Sequence, residues 1–396
     1  MKFNKLFMLG LLGLTFAACS DDNNTQLPDK DSNVYVSLSI GTAKSRSLGE
    51  SAVGKYNTIE NLKIMFYDGS EQYVPYAWDD AARQKAIDDL KSDAHKTTIT
   101  LDGVPASAQW IYIIANEKDN NQIGIGTLSE ARKTKIFLNN QYNKDFTVFS
   151  NENSTLTGLK GFNGADLTQP ISVELVPISA RMEVKNFVAK KAPATYLGND
   201  IESFTVTGIY MNNFYTEGEL QGSEDLNRPR IDNAGDATKY DATKYASIAV
   251  GEKTIDYSFM CNEPSYDATN GNAVSAASTT EGEIWKVSPK ETSKWWGYSA
   301  LQGVPPHMVI KLSVKYIGID GNKDRYLTVT SYKRKTATPD GGTKLNTIER
   351  GHAYQIENCY FDATNLTENP YEEAVTIQAL VTVAEWTGVP IEPEYH

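Results

Sequence analysis

Val34-Tyr35-Val36-Ser37-Leu38-Ser39-Ile40 carries an apolar residue at every second position, Val34, Val36, Leu38 and Ile40. A period of two puts these four residues on one side of an extended chain, so the stretch predicts a half-buried β-strand. The same alternation returns over residues 62–66, 98–101, 110–115, 171–176, 182–187, 204–210, 255–259, 309–316, 326–329 and 354–360, between segments rich in Gly, Asn, Asp and Pro. Many short strands of β-branched and aromatic residues, separated by turn formers, predict an all-β chain of packed sheets. One stretch, residues 78–96, predicts a helix: Ala82, Ala86, Ile87 and Leu90 recur at three- and four-residue spacing with no proline inside. Gly158, Gly161, Gly164 and Pro170 cluster ahead of strand 171–176 and predict a boundary between a first domain over 47–168 and a second over 169–396. The long polar stretches 218–245 and 262–294 read as surface insertions.

Ahead of the first strand stand Lys2 and Lys5, an apolar run over residues 6–16, and Ala17-Ala18-Cys19. This is the pattern of a secretory signal peptide over residues 1–18. Its apolar run falls short of the about 20 residues that a membrane-crossing helix needs, and no later segment approaches that length. The two small residues before Cys19 resemble the lipobox of bacterial lipoproteins, which implies a diacylated Cys19 that holds the precursor in outer-membrane lipid. The run Ser20-Asp21-Asp22-Asn23-Asn24 resembles the surface-export signal of Bacteroidales lipoproteins; from its residues alone it is a solvated tether. Residues 20–33, with Pro28, read as a linker. A formal charge of −12 opposes binding to nucleic acid or to an anionic membrane surface. Beyond Cys19 there are Cys261 and Cys359, and the sequence leaves open whether they pair.

Catalysis needs a nucleophile, base or metal in a fixed constellation, and none is legible. His95, His307, His352 and His396 are scattered without the spacing of a zinc site. Asp320-Gly321-Asn322-Lys323-Asp324 lacks the glycine and distal glutamate of a calcium loop and reads as a turn between strands 309–316 and 326–329. Neither a cofactor nor a metal is expected, and the chain is not expected to be an enzyme. Trp295-Trp296-Gly297-Tyr298 has two readings, a platform that stacks on sugars or a buried aromatic corner.

Several separated segments resemble the fimbrillin family of Bacteroidales, the subunits of type V pili. They are the lipobox; the strand 34–40 followed by a polar loop with Arg46 before Ser47; Trp110-Ile111-Tyr112-Ile113-Ile114-Ala115-Asn116; Ile178-Ser179-Ala180-Arg181-Met182-Glu183-Val184; Arg350-Gly351-His352-Ala353-Tyr354-Gln355-Ile356; and the closing Val381-Thr382-Val383-Ala384-Glu385-Trp386. Pro177 departs from the family pattern, which often has a basic residue there. The resemblance implies two tandem transthyretin-like β-sandwich domains with few short helices, and neither cofactor nor enzymatic activity. It also implies trimming of propeptide 19–46 by a trypsin-like protease between Arg46 and Ser47. The partners it implies are other copies of the chain in a head-to-tail filament, together with accessory tip and anchor pilins, at the cell surface.

Loss of strand 34–40 would open a groove in the first sandwich, and a matching strand that enters such a groove gains ladder bonds and apolar burial. Val375, Ile377, Ala379, Val381 and Val383 alternate near the C-terminus and are the expected donor, within about residues 374–390; Trp386 breaks the phase. Periodicity alone equally allows residues 375–386 to be the last strand of their own domain. The resemblance favours exchange with a neighbour and, with an intact Arg46, the shaft of the filament. The rival readings are a lipid-anchored glycan-binding protein that uses Trp295, Trp296 and Tyr298, or an anchor or tip pilin.

Overall fold

A computed structural model describes residues 33–42, 49–50, 59–91, 96–117, 125–142, 148–151, 171–223, 225–233, 235–262, 273–290, 294–334, 343–372 and 376–385. For 33–42, 49–50 and 376–385 it describes the backbone alone. The architecture is all-β with few short helices, as the alternation predicts.

The first sheet has seven strands, β1 (Asn33–Thr42), β3 (Leu62–Asp68), β4 (Tyr73–Val74), β5 (Lys96–Pro105), β6 (Ala108–Ala115), β8 (Phe149–Asn151) and β9 (Ile171–Pro177), in the order β4-β3-β6-β8-β9-β1-β5. Two further strands in this stretch, β2 (Gly49–Glu50) and β7 (Lys135–Phe137), pair outside it. Alternate residues of β3 and β6 divide between two cores, as a period of two requires. Ile64, Phe66, Ile111 and Ile113 join Leu101, Val104, Val173 and Leu175 on one side, while Met65, Tyr67, Tyr112 and Ile114 belong to the larger core that continues into the second domain. Helix α1 (Asp80–Lys91) covers the first of these cores with Ala86, Ile87 and Leu90. It starts where Asp79 Oδ1 accepts the Ala82 amide at 2.8 Å, an N-cap bond. It is shorter than the predicted 78–96, and Lys96 already opens β5.

The second domain contains β10 (Ser179–Lys190), β11 (Ile201–Asn212), β12 (Glu217–Glu219), β13 (Ala273–Ala277), β14 (Glu283–Pro289), β15 (Lys294–Leu301), β16 (His307–Tyr316), β17 (Lys323–Arg334), β18 (His352–Phe361) and β19 (Thr376–Glu385). Its strands follow the order β11-β16-β17-β19-β18-β10-β14-β13, and β15 lies beside the first half of β10. The turn that joins β16 to β17 spans residues 317–322, with Gly318 and Gly321 at positive φ, while Lys323 and Asp324 of the expected turn already pair in β17.

Three local expectations differ. Strand 255–259 stops at Ile255, because Asp256 Oδ1 accepts the Ser258 amide at 2.8 Å and a short 3-10 turn follows over Ser258–Met260. Stretch 218–245 is no bare insertion: Tyr240 and Tyr245 are buried against Tyr210, with ring centroids 5.7 and 5.9 Å away. Stretch 262–294 supplies β13 and β14, which widen the second sheet. As for the expected boundary before residue 169, β9 pairs with β8 and β1 in the first sheet, so the chain passes from one sheet to the other at Ile178. The domains also meet where β7 pairs with β12, with Lys135 Nζ at 2.8 Å from Glu217 Oε1.

Candidate assembly site

β1 is an inserted strand. It runs antiparallel to β5, with Leu38 opposite Ile99, Ser39 opposite Thr98 and Ile40 opposite Thr97. It runs parallel to β9, with Leu38 opposite Ile171, Ser39 opposite Ser172 and Ile40 opposite Val173. The register against β5 is irregular between Val34 and Val36. Leu38, Ser39, Ile40 and Gly41 are therefore bonded on both edges. Among the described residues β5 has no ladder partner except β1, so β1 alone joins β5 to the sheet. The flanking strands contribute the buried side chains Leu101, Val104, Val173 and Leu175, an apolar lining that suits a strand with apolar residues at every second position.

The expected donor is placed differently. In the single chain β19 is held in its own domain, and its two halves use different neighbours. Thr376 to Val381 run parallel to β17, while Thr382 to Glu385 run antiparallel to β18, with Val383 opposite Tyr354 and Glu385 opposite His352. Among the described residues, none of β19 is paired with both neighbours. Ile377, Ala379, Val381 and Val383 lie within this strand; Val375 and Trp386 fall outside the described residues, as do Cys19, Arg46 and Ser47. The expected cleavage position is nevertheless bracketed. β1 belongs to the first sheet, whereas β2 pairs with Lys294 and Trp295 of β15 in the second.

Where the domains meet, Arg350 is buried, with 3% of its surface exposed. Its Nη1 donates to Ser150 Oγ (2.9 Å) and Leu220 O (2.6 Å), and its Nη2 to Ser150 O (2.7 Å) and Val176 O (2.9 Å). One guanidinium thus ties the start of β18 to β8 and β9, using the planar fork that a lysine lacks. Gly351 follows at φ +70°, where a Cβ would stand 2.2 Å from Val176 Cγ1, so glycine alone fits there. The Arg350-Gly351 pair was legible as a motif, but nothing in its spacing tells that it clasps two domains.

Trp295, Trp296 and Tyr298 are buried. Trp296 stacks on Phe187 with centroids 5.7 Å apart, and Tyr298 Oη donates to Ile209 O at 3.3 Å. This corrects the sugar-platform reading, because buried rings offer no face to a ligand. Gly297 between them lies under Arg181, whose Nη2 would be 2.3 Å from a Cβ there. Arg181 Nε in turn donates to Glu183 Oε1 (2.5 Å), and Gln355 Nε2 donates to Glu183 Oε2 (2.8 Å). No disulfide joins Cys261 to Cys359. Cys359 is fully buried, which pushes its thiol up to about 12.

A second polar cluster lies at the base of β19. Asn212 Nδ2 is within hydrogen-bonding distance of Tyr371 Oη (2.8 Å), Asp232 Oδ1 (3.0 Å) and Tyr240 Oη (3.3 Å), and Asn212 Oδ1 accepts the Asn233 amide at 2.8 Å. His307 Nδ1 shares a 3.0 Å hydrogen bond with Tyr371 Oη, and Asn213 Nδ2 lies 3.2 Å from His307 Nε2. Burial lowers the His307 pKa, against the opposing pull of Asp232. His307 is one of the scattered histidines in the sequence; its hydrogen-bond partners, Asn213 and Tyr371, come from two separate stretches of chain.

The described strands form an all-β sandwich with β1 between two neighbours and an alternating strand, β19, late in the chain. Comparison with known proteins agrees. Residues 34–176 match the family described as major fimbrial subunit protein (FimA). The major fimbrium subunit FimA type-2 of Porphyromonas gingivalis is 25% identical over 407 residues, covering 98% of each chain. A minor fimbrium subunit of the same organism is 22% identical over 226 residues, 53% of this chain and 44% of that one. A solved structure from Parabacteroides distasonis ascribed to cell adhesion shares the fold with a TM-score of 0.51 at 14% identity, covering 91% of this chain and 98% of that one. The first part of the chain matches the major fimbrial subunit family, and nearly its whole length is similar to major fimbrial subunits.

Proposed function

We propose that this protein is a pilus subunit of the cell surface, a shaft subunit that is exported as a lipoprotein through Cys19, trimmed after Arg46 and polymerised by strand exchange. The observation that carries this reading is the match between β1 and β19. Both are ten residues long. With Asn33 set against Thr376, the apolar Val34, Val36, Leu38 and Ile40 fall on Ile377, Ala379, Val381 and Val383, and Ser39 falls on Thr382. β1 also lies between one parallel and one antiparallel neighbour, the same two kinds of neighbour that β19 has at home.

The energetics favour transfer. Removal of β1 leaves β5 without a ladder and exposes the edge of β9, a template that any matching strand can satisfy. In its own domain β19 is bonded on one edge at a time; in the place of β1 the residues that follow Leu38 would be bonded on both. Each valine or isoleucine buried there contributes roughly 1.5–3 kcal/mol. The contact is heterologous and does not close, so it propagates as a filament.

The test uses the purified precursor, trimmed with trypsin and viewed by negative-stain electron microscopy. Filaments whose subunits begin at Ser47 are expected. A chain that ends at residue 375 should accept a strand but not donate one, so mixing it into full-length subunits should shorten the filaments. Filaments of unchanged length, or filaments in which residues 19–46 persist, would rule the reading out.

A further inference from the structure

We infer that Tyr371 is the fixed point from which the C-terminal strand is handed over, so that the transferred segment begins after Tyr371 and everything before it stays with the second domain. The inference rests on the strand-exchange reading and adds where the moving part starts.

Upstream of Tyr371 the chain is fastened by bonds that strand transfer would not replace. The Asp362 side chain accepts the Thr364 amide at 2.7 Å and caps a short turn. Tyr326 and Thr367 exchange backbone bonds of 2.9 and 3.1 Å, and Leu366 packs on the main core. Tyr371 itself packs on that core, and its amide donates to Thr328 Oγ1 at 3.3 Å. Its hydroxyl is gripped by Asn212 from β11 and His307 from β16, two strands outside the ladders described for β19. Downstream, β19 is held by ladder bonds on one edge at a time, and a groove in a neighbour can supply the same bonds anew.

The backbone of Tyr371 marks the division. Its φ is +63°, a left-handed conformation that costs a bulky residue about 1–2 kcal/mol. Such a conformation persists where the surroundings over-determine it, here through a hydroxyl fastened to two strands. A pinned Tyr371 also limits reach. The five steps from residue 371 to 376 span at most roughly 17 Å, so the neighbour's groove has to come within that distance of Tyr371. Tyr371 is on this account a positioning residue that sets how closely successive subunits dock.

Two disulfide locks separate the possibilities. Tyr326→Cys with Thr367→Cys joins partners upstream of Tyr371; Gln355→Cys with Thr382→Cys joins partners within β18 and β19. Each variant is trimmed with trypsin, and elongation is followed by light scattering, oxidised and then reduced with dithiothreitol. The upstream lock is expected to leave elongation within about twofold, and the downstream lock to slow it by about a hundredfold or more until reduced, the loss of a few kcal/mol of strand insertion. If the upstream lock also blocks growth, the transferred segment begins before Tyr371 and the inference fails while strand exchange stands. If the downstream lock has no effect, strand exchange itself fails and the inference with it. Should loss of the Tyr326 ring unfold the variant, hydrogen exchange on the native protein decides: amides of residues 363–371 should keep their protection from trimmed monomer to filament, and their loss in the filament would overturn the inference.

Discussion

β1 and β19 are alike in length and alternation and unlike in how the chain holds them. β1 is followed in the chain by the stretch that carries Arg46, and it is paired on both edges over Leu38 to Gly41. β19 follows Tyr371 in the chain, and among the described residues no part of it is paired on both edges. A single cut after Arg46 would therefore free β1, while no cut is needed for β19 to leave its place and remain attached. The comparison suggests a division of labour in which the tightly held strand is disposable and the loosely held strand transferable. On the proposed strand exchange, proteolysis would supply the irreversible step, since a well-paired strand would otherwise reseat itself.

The largest effect should come from keeping β1 attached. Arg46→Gln removes the trypsin-type site, and we expect assembly to fall by about a hundredfold or more, as measured by filament yield, because the groove stays filled. Normal filaments from that variant would mean that β1 does not occupy the acceptor site. The next largest concerns β19. Val381→Asp with Val383→Asp places two charges where apolar burial is worth roughly 1.5–3 kcal/mol each. Filament growth should stop, while the trimmed monomer melts only a few degrees lower, at about 2–4 °C per kcal/mol. An equally large loss of monomer stability would show that β19 belongs to its own domain as firmly as β1 does to the first.

A third variant tests the clasp between the halves being compared. Arg350→Ala leaves Ser150 O and Val176 O without this donor, while Leu220 O keeps the Ser150 hydroxyl at 3.0 Å. Buried acceptors stranded in this way cost about 1–3 kcal/mol each where water cannot replace the donor. We expect a melting temperature lower by about 5–15 °C. Arg350→Lys should recover little of it, and full recovery would mean that charge, not the forked geometry, holds the domains together. The smallest effect is in alkali. Burial raises Cys359 to about 12 from 9.0 and Tyr257 to about 12 from 10.0. The unfolded chain then releases these protons at lower pH than the folded one. Their contribution is fully present below about pH 9 and is lost as pH rises towards 12. Urea midpoints should be flat from pH 7 to 8.5 and fall above about pH 9.5, with Cys359→Ala shallower than the parent. A rising midpoint in that window would contradict the burial.

How much of this was legible beforehand follows from what a strand is. Period-two alternation is a local property, so Val34 to Ile40, the Trp110 to Ala115 stretch and the C-terminal strand all announced themselves, and the all-β class came with them. Helix α1 was visible for the same reason, though not its end near Lys91, where a following strand competes for the chain. The aromatic run at Trp295 allowed two readings, because burial depends on what packs above it. Arg350 was a lone basic residue in the sequence, since its four oxygen partners are contributed by segments 130 to 200 residues away.

The sequence by itself determined two strands of matching alternation, 34–40 and 375–383, with Arg46 in a polar stretch behind the first. The tertiary structure decided which edges those strands use, that β9 belongs to the first sheet and that Tyr371 is pinned in a left-handed conformation. The physical reason is that alternation specifies the faces of a strand but not its neighbours. Neighbours are chosen by ladder bonds between segments far apart in the chain, and only the assembled fold reveals which of those bonds are made.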